Sequence, residues 1–287
     1  MKNFRAYFLL FIAVVALCSC DLAKNNKALI SEAGKALVEE LDQKDGEAGA
    51  CDASAGADDK LVMQTSPKGT PEQILKRTGY VASYNKTTLL PNWVAWHLTA
   101  ERTEGSAKRS GVDFAEDTEV PEPRATDWDY YNSGYDRGHM CPAADNKWSK
   151  KAMEESFLFT NMCPQNGNLN RGDWNEMEMA CRKWAKKYGD LYIVCGPILY
   201  KGKHKTIGKN KVVVPEAFFK VVLRTGDDPQ AIGFIYKNTS GNRPKDSYVN
   251  TVDEVERITG IDFFHQLDDE TENRVASSFS LKEWNAN

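Results

Sequence analysis

The stretch "TNMCPQNGNLNRGDWNEMEMACRKWAKKYG", Thr160 to Gly189, changes character twice. Its start, read with the preceding "SKKAMEESFLF", predicts a short helix and then a strand. The middle carries a density of Asn that belongs to turns. The last part predicts a helix. At about 100° per residue, Met177, Cys181, Trp184, Ala185 and Tyr188 fall on one apolar arc, and Trp174, Glu178 and Arg182 run along its edge. Asp173 offers an N-cap with Glu176 three residues on, and Gly189 stands where a C-terminal cap belongs. The unit is therefore strand, polar turn, helix.

Outward from it, "YVASYNKTTLLPNWVAWHLT" reads as two strand-like runs joined around Thr87 to Asn92, after which "GVDFAEDTEVPEPRATDWDYYNSG" reads as a long loop. "LYIVCGPILY", "AFFKVVL" and "AIGFIY" are buried-strand runs, and "TVDEVERITG" is a helix ending at Gly260. Strands and helices mix without a strict βαβ rhythm, which predicts an α+β fold.

The chain has 287 residues, 41% of them hydrophobic, enough for a packed core. Lys2 and Arg5, then the apolar "YFLLFIAVVAL", form a basic start and a core too short to span a bilayer comfortably, so residues 1–19 read as a secretory signal. "LCSC" at Leu17–Cys20 resembles a bacterial lipobox, with Cys20 the lipidation candidate; the alternative is ordinary cleavage and secretion. Residues 20–60 read as a tether. It contains one short amphipathic segment, "ALISEAGKALVEEL", and an acidic Gly/Ala tract expected to be disordered. Residues 61–287 form the domain.

Net charge is −4, but it is unevenly placed: Arg124 to Arg224 holds 17 Lys and Arg against 11 Asp and Glu, while residues 225–287 hold 6 against 12. A basic middle fits phosphate binding, and a solvated basic face fits it too. Beyond Cys18 and Cys20, five cysteines remain: Cys51, Cys141, Cys163, Cys181 and Cys195. An odd number leaves at least one unpaired within the chain; a Cys141–Cys163 bridge and buried free thiols both stay open. No C-x-x-C spacing supports structural zinc. No G-x-S-x-G marks a serine hydrolase. "GKHKTIGKN" fails as a P-loop, because five residues separate Gly202 from Gly208 and Asn210 stands where Ser or Thr is needed.

The chemistry gathers at "DRGH", Asp136 to His139, in a chain with only four histidines. Hydrolysis of a phosphodiester needs a base for water, a cation for developing charge and positive side chains on the phosphate. His139 can be the base, and Arg137 and Arg182 the positive groups. An Asn amide oxygen is a neutral hard ligand suited to a hydrated Mg²⁺. Glu178 and Arg182, at i and i+4, sit where core meets solvent and read equally as a surface ion pair. His97 reads as structural, His204 and His265 as solvated.

"DRGH" followed by "TNMCPQNGNLNRGDWNEMEMACR" resembles the DNA/RNA non-specific endonuclease family of ββα-metal nucleases. The resemblance runs from about Leu61 onward and includes "RSGVDF", "YIVCGP" and "TVDEVERITG". It implies a ββα-metal core with a mostly antiparallel sheet flanked by helices. It also implies His139 as general base and Asn170 as the protein ligand of Mg²⁺, with Mn²⁺ the alternative ion. Asn161 would orient groups around the phosphate, Glu178 would hold the metal's waters, and Arg137 and Arg182 would contact phosphate, with Arg109 a further, less firmly matched arginine. The implied activity is cleavage of DNA and RNA to 5′-phosphates with little base preference, because backbone phosphate carries no sequence information. The lipid would tie the protein to a membrane, periplasmic or at the cell surface. No inhibitor or protein partner is legible. Two other readings are a surface lipoprotein that binds nucleic acid without cutting it, and a hydrolase of smaller phosphodiesters.

Overall fold

In the computed structural model, which describes residues 60–284, the three long apolar runs become the centre of a seven-stranded sheet. The signal and lipidation readings, most of the tether and Cys51 lie outside the described residues. In chain order the strands are β1 (Gln73–Lys76), β2 (Val81–Asn85), β3 (Leu90–Leu98), β4 (Asp136–His139), β5 (Met162–Gln165), β6 (Leu191–Ile198), β7 (Thr206–Ile207), β8 (Val212–Val213), β9 (Ala217–Arg224), β10 (Gln230–Lys237) and β11 (Val249–Asn250). The large sheet has the order β1-β2-β3-β6-β9-β10-β11, antiparallel throughout; β4 pairs with β5 and β7 with β8 in two small ribbons.

The central strands are apolar on both faces because both faces are covered. Along β9, Phe218 and Val222 enter one core layer and Phe219, Val221 and Leu223 the other, following the two-residue alternation of a strand. The first layer is completed by the helix Asn175–Tyr188 through Met177, Cys181, Trp184 and Ala185. The second is completed by the helices Val252–Thr259 and Asp269–Ser277 through Val252, Val255, Val275 and Ala276. Thr251 caps the first of these by accepting from Glu254 N at 3.1 Å, and Gly260 closes it at φ 71°, where the sequence places its end.

The predicted strand–turn–helix unit is present, with one correction. Asn166 caps a helical turn, Gly167–Leu169, which runs through a wide turn at Asn170–Trp174 into the long helix. The backbone is already helical at Trp174, which makes no side-chain cap, so Asp173 does not cap the long helix. The Asp173 carboxylate turns away and accepts from Asn242 N at 2.7 Å, Arg243 N at 3.3 Å and the Tyr248 hydroxyl. Gly189 ends the helix as expected, at φ 87°. The long loop before β4 also holds a single helical turn, Asp127–Tyr130.

Cys141, Cys163, Cys181 and Cys195 are all buried and free, which decides against the Cys141–Cys163 bridge. Burial pushes the Cys181 and Cys195 thiols up to about 12, so they are poor nucleophiles. His204 is half-buried rather than solvated, its Nδ1 lying 3.0 Å from Glu216 Oε1. His97 stacks on Tyr192 at 4.6 Å and meets Asp190 at 2.9 Å, a structural role as expected. Among the described residues no helix is long and apolar enough to cross a membrane.

The glycine of DRGH is a packing requirement. A Cβ on Gly138 would lie 2.3 Å from Oε1 and 2.6 Å from Cβ of the fully buried Gln165. Gly138→Ala is therefore expected to destabilise the protein by about 1–3 kcal/mol through overpacking. Thermal unfolding of the variant checks this; an unchanged melting temperature would mean that β4 and β5 separate freely.

Candidate active site

The β4–β5 ribbon, the wide turn and the long helix converge on a cleft of about 910 Å³. Arg109, Arg137, His139, Asn170, Glu178 and Arg182 all line it, so the structure gathers six of the seven predicted polar residues. The seventh, Asn161, lies behind the cleft and is fully buried. Its Oδ1 accepts from Cys141 N at 2.9 Å, and its Nδ2 donates to the carbonyls of Cys141 at 2.9 Å and Ser156 at 2.8 Å. Every polar atom of the side chain is used on backbone, that of Cys141 just beyond His139 and that of Ser156. Asn161 itself does not line the cleft; it orients the backbone that follows His139.

His139 stands at the end of β4 with its ring edge-on to Phe157 at 4.9 Å and tilted against Phe114 at 5.7 Å. Trp174 Nε1 donates to its carbonyl at 3.3 Å. Nε2 is enclosed and has no hydrogen-bond partner among the described residues. Burial, reinforced by the positive charge of Arg109, pushes the imidazole down to about 3, so it is neutral at physiological pH and able to accept a proton.

Asn170 is oriented by the first residue of DRGH. Its Nδ2 donates to Asp136 Oδ2 at 3.0 Å. An ionised carboxylate only accepts, so the amide nitrogen must face it, and Oδ1 is left as the acceptor for the cleft. Arg171 braces the same carboxylate from the outside at 3.2 Å. The described residues contain no cluster of three His, Cys, Asp or Glu able to hold a metal. An oriented amide oxygen beside a cleft carboxylate nevertheless fits a hard cation that keeps most of its waters.

The two helical residues separate their roles. Arg182 does not pair with Glu178; Nη1 reaches Asp145 Oδ1 at 2.9 Å, and Asp145 also accepts from Trp96 Nε1 at 3.1 Å. Glu178 is left facing the cleft, and burial pushes its carboxyl up to about 7 against the opposing pull of Lys220. Lys220, on β9, is fully buried and its Nζ has no hydrogen-bond partner among the described residues. It lies over the rings of Trp174 at 4.2 Å and Trp96 at 5.2 Å. Arg137 is held from outside the cleft: Nε donates to Asp127 Oδ1 at 2.5 Å, and the guanidinium lies 5.4 Å from the Phe114 ring centre.

Comparison with known proteins agrees with this geometry. The family model for DNA/RNA non-specific endonuclease matches residues 58–270. The chain belongs to the DNA/RNA non-specific endonuclease family. The mitochondrial nuclease EXOG of Danio rerio is 39% identical over 206 residues, covering 66% of this chain and 60% of that protein. Nuclease C1 of Cunninghamella echinulata var. echinulata is 36% identical over 72% of this chain and 88% of its own length. In the crystal structure of the EndoG/EndoGI complex, a chain 32% identical to this one matches with a TM-score of 0.66 over 70% of this chain and 89% of that chain. The chain spans less than two thirds of the EXOG relatives it matches.

For this member of the family, sequence reasoning missed Asp136, Asp127, Asp145 and Lys220. Asp136 stood in the motif, and its spacing to Asn170 gave no signal; the other three reach the site from separate elements.

The depressed His139 has a stability consequence. Between about 6.5, where an unfolded histidine takes up its proton, and about 3, where the folded one does, the unfolded chain binds the extra proton. Stability from this group is complete above 6.5 and is lost as pH falls through that window. His139→Asn removes the effect, so the melting temperature of the variant should gain on the parent as pH is lowered from 7 to 4. Parallel pH profiles would show that the folded imidazole protonates normally.

Proposed function

We propose that this protein is a Mg²⁺-dependent, sugar-non-specific endonuclease that hydrolyses phosphodiester bonds of DNA and RNA, with His139 as general base. The observation that carries the reading is the conjunction, in one cleft, of an imidazole kept neutral, an oriented amide oxygen and three arginines. Family membership and the likeness to named nucleases support it.

In this mechanism Arg109, Arg137 and Arg182 draw the scissile phosphate into the cleft, and none of them reads a base. His139 takes a proton from a water whose oxygen bonds to phosphorus, while the bond from phosphorus to the leaving O3′ breaks. The leaving oxygen is protonated from solvent, giving a 3′-hydroxyl and a 5′-phosphate. Phe114 and Phe157 exclude water from one side of the imidazole and keep it unprotonated between turnovers. Asn170 would hold Mg²⁺ directly and Glu178 through water, with Mn²⁺ as the alternative ion. The bound ion supplies positive charge beside the developing negative charge of the phosphate. The N-terminal signal and Cys20 support an exported, lipid-anchored protein that meets nucleic acid outside the cytoplasm.

The full chain, incubated with supercoiled plasmid and with a structured RNA, should degrade both in Mg²⁺ and neither in EDTA. His139→Ala should lower the rate about 10²–10⁴-fold, the usual contribution of a general base, while affinity for an oligonucleotide in EDTA stays unchanged. Binding without cleavage in any divalent ion would favour the nucleic-acid-capturing lipoprotein. Asp136→Ala should raise the Mg²⁺ concentration for half-maximal rate about 10–100-fold, as expected when the residue orienting a ligand is lost. An unchanged Mg²⁺ titration would remove Asn170 from the metal site.

A further inference from the structure

Two large aromatic side chains stand exposed on the one-turn helix Asp127–Tyr130 and the residue after it. Trp128 is 80% and Tyr131 is 61% exposed, and their rings meet edge to face at 5.6 Å. Single exposed apolar residues need no explanation, but a paired set on a rigid mount does. The mount is Asp129, which is buried: its carboxylate accepts from Thr126 N and Oγ1 and from Asn210 N and Nδ2, each at 2.9 Å. Gly208, at φ 65°, lies so close that a Cβ there would be 2.2 Å from Asp129 Oδ1. The turn is thus locked to the segment Tyr200–Lys211, which carries exposed Lys201, Lys203, Lys205, Lys209 and Lys211. Lys205 reaches back over the ring of Tyr135 at 4.8 Å, next to Asp136. On the other side Asp127, beside Trp128, holds the cleft arginine Arg137.

We infer that Trp128 and Tyr131 form a stacking platform at the rim of the cleft for the unpaired bases of single-stranded nucleic acid, with the lysine-rich segment following its phosphates. The inference rests on the nuclease reading for its substrate class and adds a preference between strand states. Bases stack on aromatic faces without regard to sequence, and a duplex keeps those faces inside its own stack. The lysines attract both forms alike, so selection lies with the rings.

The test measures binding and cleavage separately, using the full chain. In EDTA, anisotropy of a fluorescein-labelled oligo(dT) and of a fully paired hairpin gives affinities for the parent, for Trp128→Ala/Tyr131→Ala, and for Trp128→Phe/Tyr131→Phe. We expect the alanine pair to lose roughly tenfold on oligo(dT) and less than about twofold on the hairpin, and the phenylalanine pair to restore most of the loss. With Mg²⁺ added, KM on the single strand should rise while kcat holds. Equal loss on both ligands, or none on either, would overturn the platform. If the parent binds in this pattern but cleaves nothing, the nuclease reading fails and the platform stands. If it cleaves and the alanine pair matches it on single strands, the platform fails and the nuclease reading stands.

Discussion

The position at which β4 ends governs the cleft, and it is fixed by a buried amide that never enters it. Asn161 bonds the backbone of Cys141 through both its oxygen and its nitrogen. Its own carbonyl takes the N–H of Met140 at 2.9 Å. A buried amide with all of its polar atoms engaged is a stiff joint, because breaking any one bond strands a donor or acceptor away from water. Immediately upstream, Gly138 lets Gln165 press against the strand. Between these two contacts His139 has no freedom to drift, and Asp136 and Arg137 are carried to their places on the same four residues.

Electrostatics then divides the cleft by function. The imidazole of His139 is kept neutral by hydrophobic walls and a neighbouring cation, both of which disfavour the imidazolium. The carboxyl of Glu178 is pushed the other way by the same burial, and Lys220 opposes that push from inside the core. Burial disfavours the Lys220 ammonium, and the neighbouring carboxyl groups of Glu178 and Asp145 oppose that push. An ammonium with indole faces in place of hydrogen-bond acceptors is a costly group to bury. Its presence under Glu178 gives the site a fixed positive charge that solvent does not screen.

Local pattern and tertiary approach explain what was legible. The helix from Asn175 to Tyr188 and its Gly189 cap follow from a periodicity contained in a few turns, and so the sequence shows them. The buried strands β6, β9 and β10 were equally plain as short apolar runs. The Glu178–Arg182 spacing correctly put both residues at the edge of the apolar arc, but an i, i+4 rule could not reveal that Asp145, on another segment, captures the arginine. Asn161 shows the same limit from the other direction. Motif resemblance marked it for the site, and only the packed structure shows that its amide is spent on backbone. Asp173 was misread because the backbone kinks at Gly172, at φ −101° and ψ −111°, and is helical again by Trp174, a backbone event with no signature in polarity.

The arginines that line the cleft are held by acids that stand behind it. Arg137 leans on Asp127 and Arg182 on Asp145. Were these guanidiniums free, each would lose rotamer freedom on meeting phosphate, and long side chains carry much of that freedom. Held from behind, they present charge at set positions, which is what preorganised electrostatic stabilisation of an anion requires. Each acid occupies only one side of a planar fork that has five donors, so donors remain on the guanidinium for an anion. The carboxylates of Asp127 and Asp145 therefore act as scaffolding for positive charge.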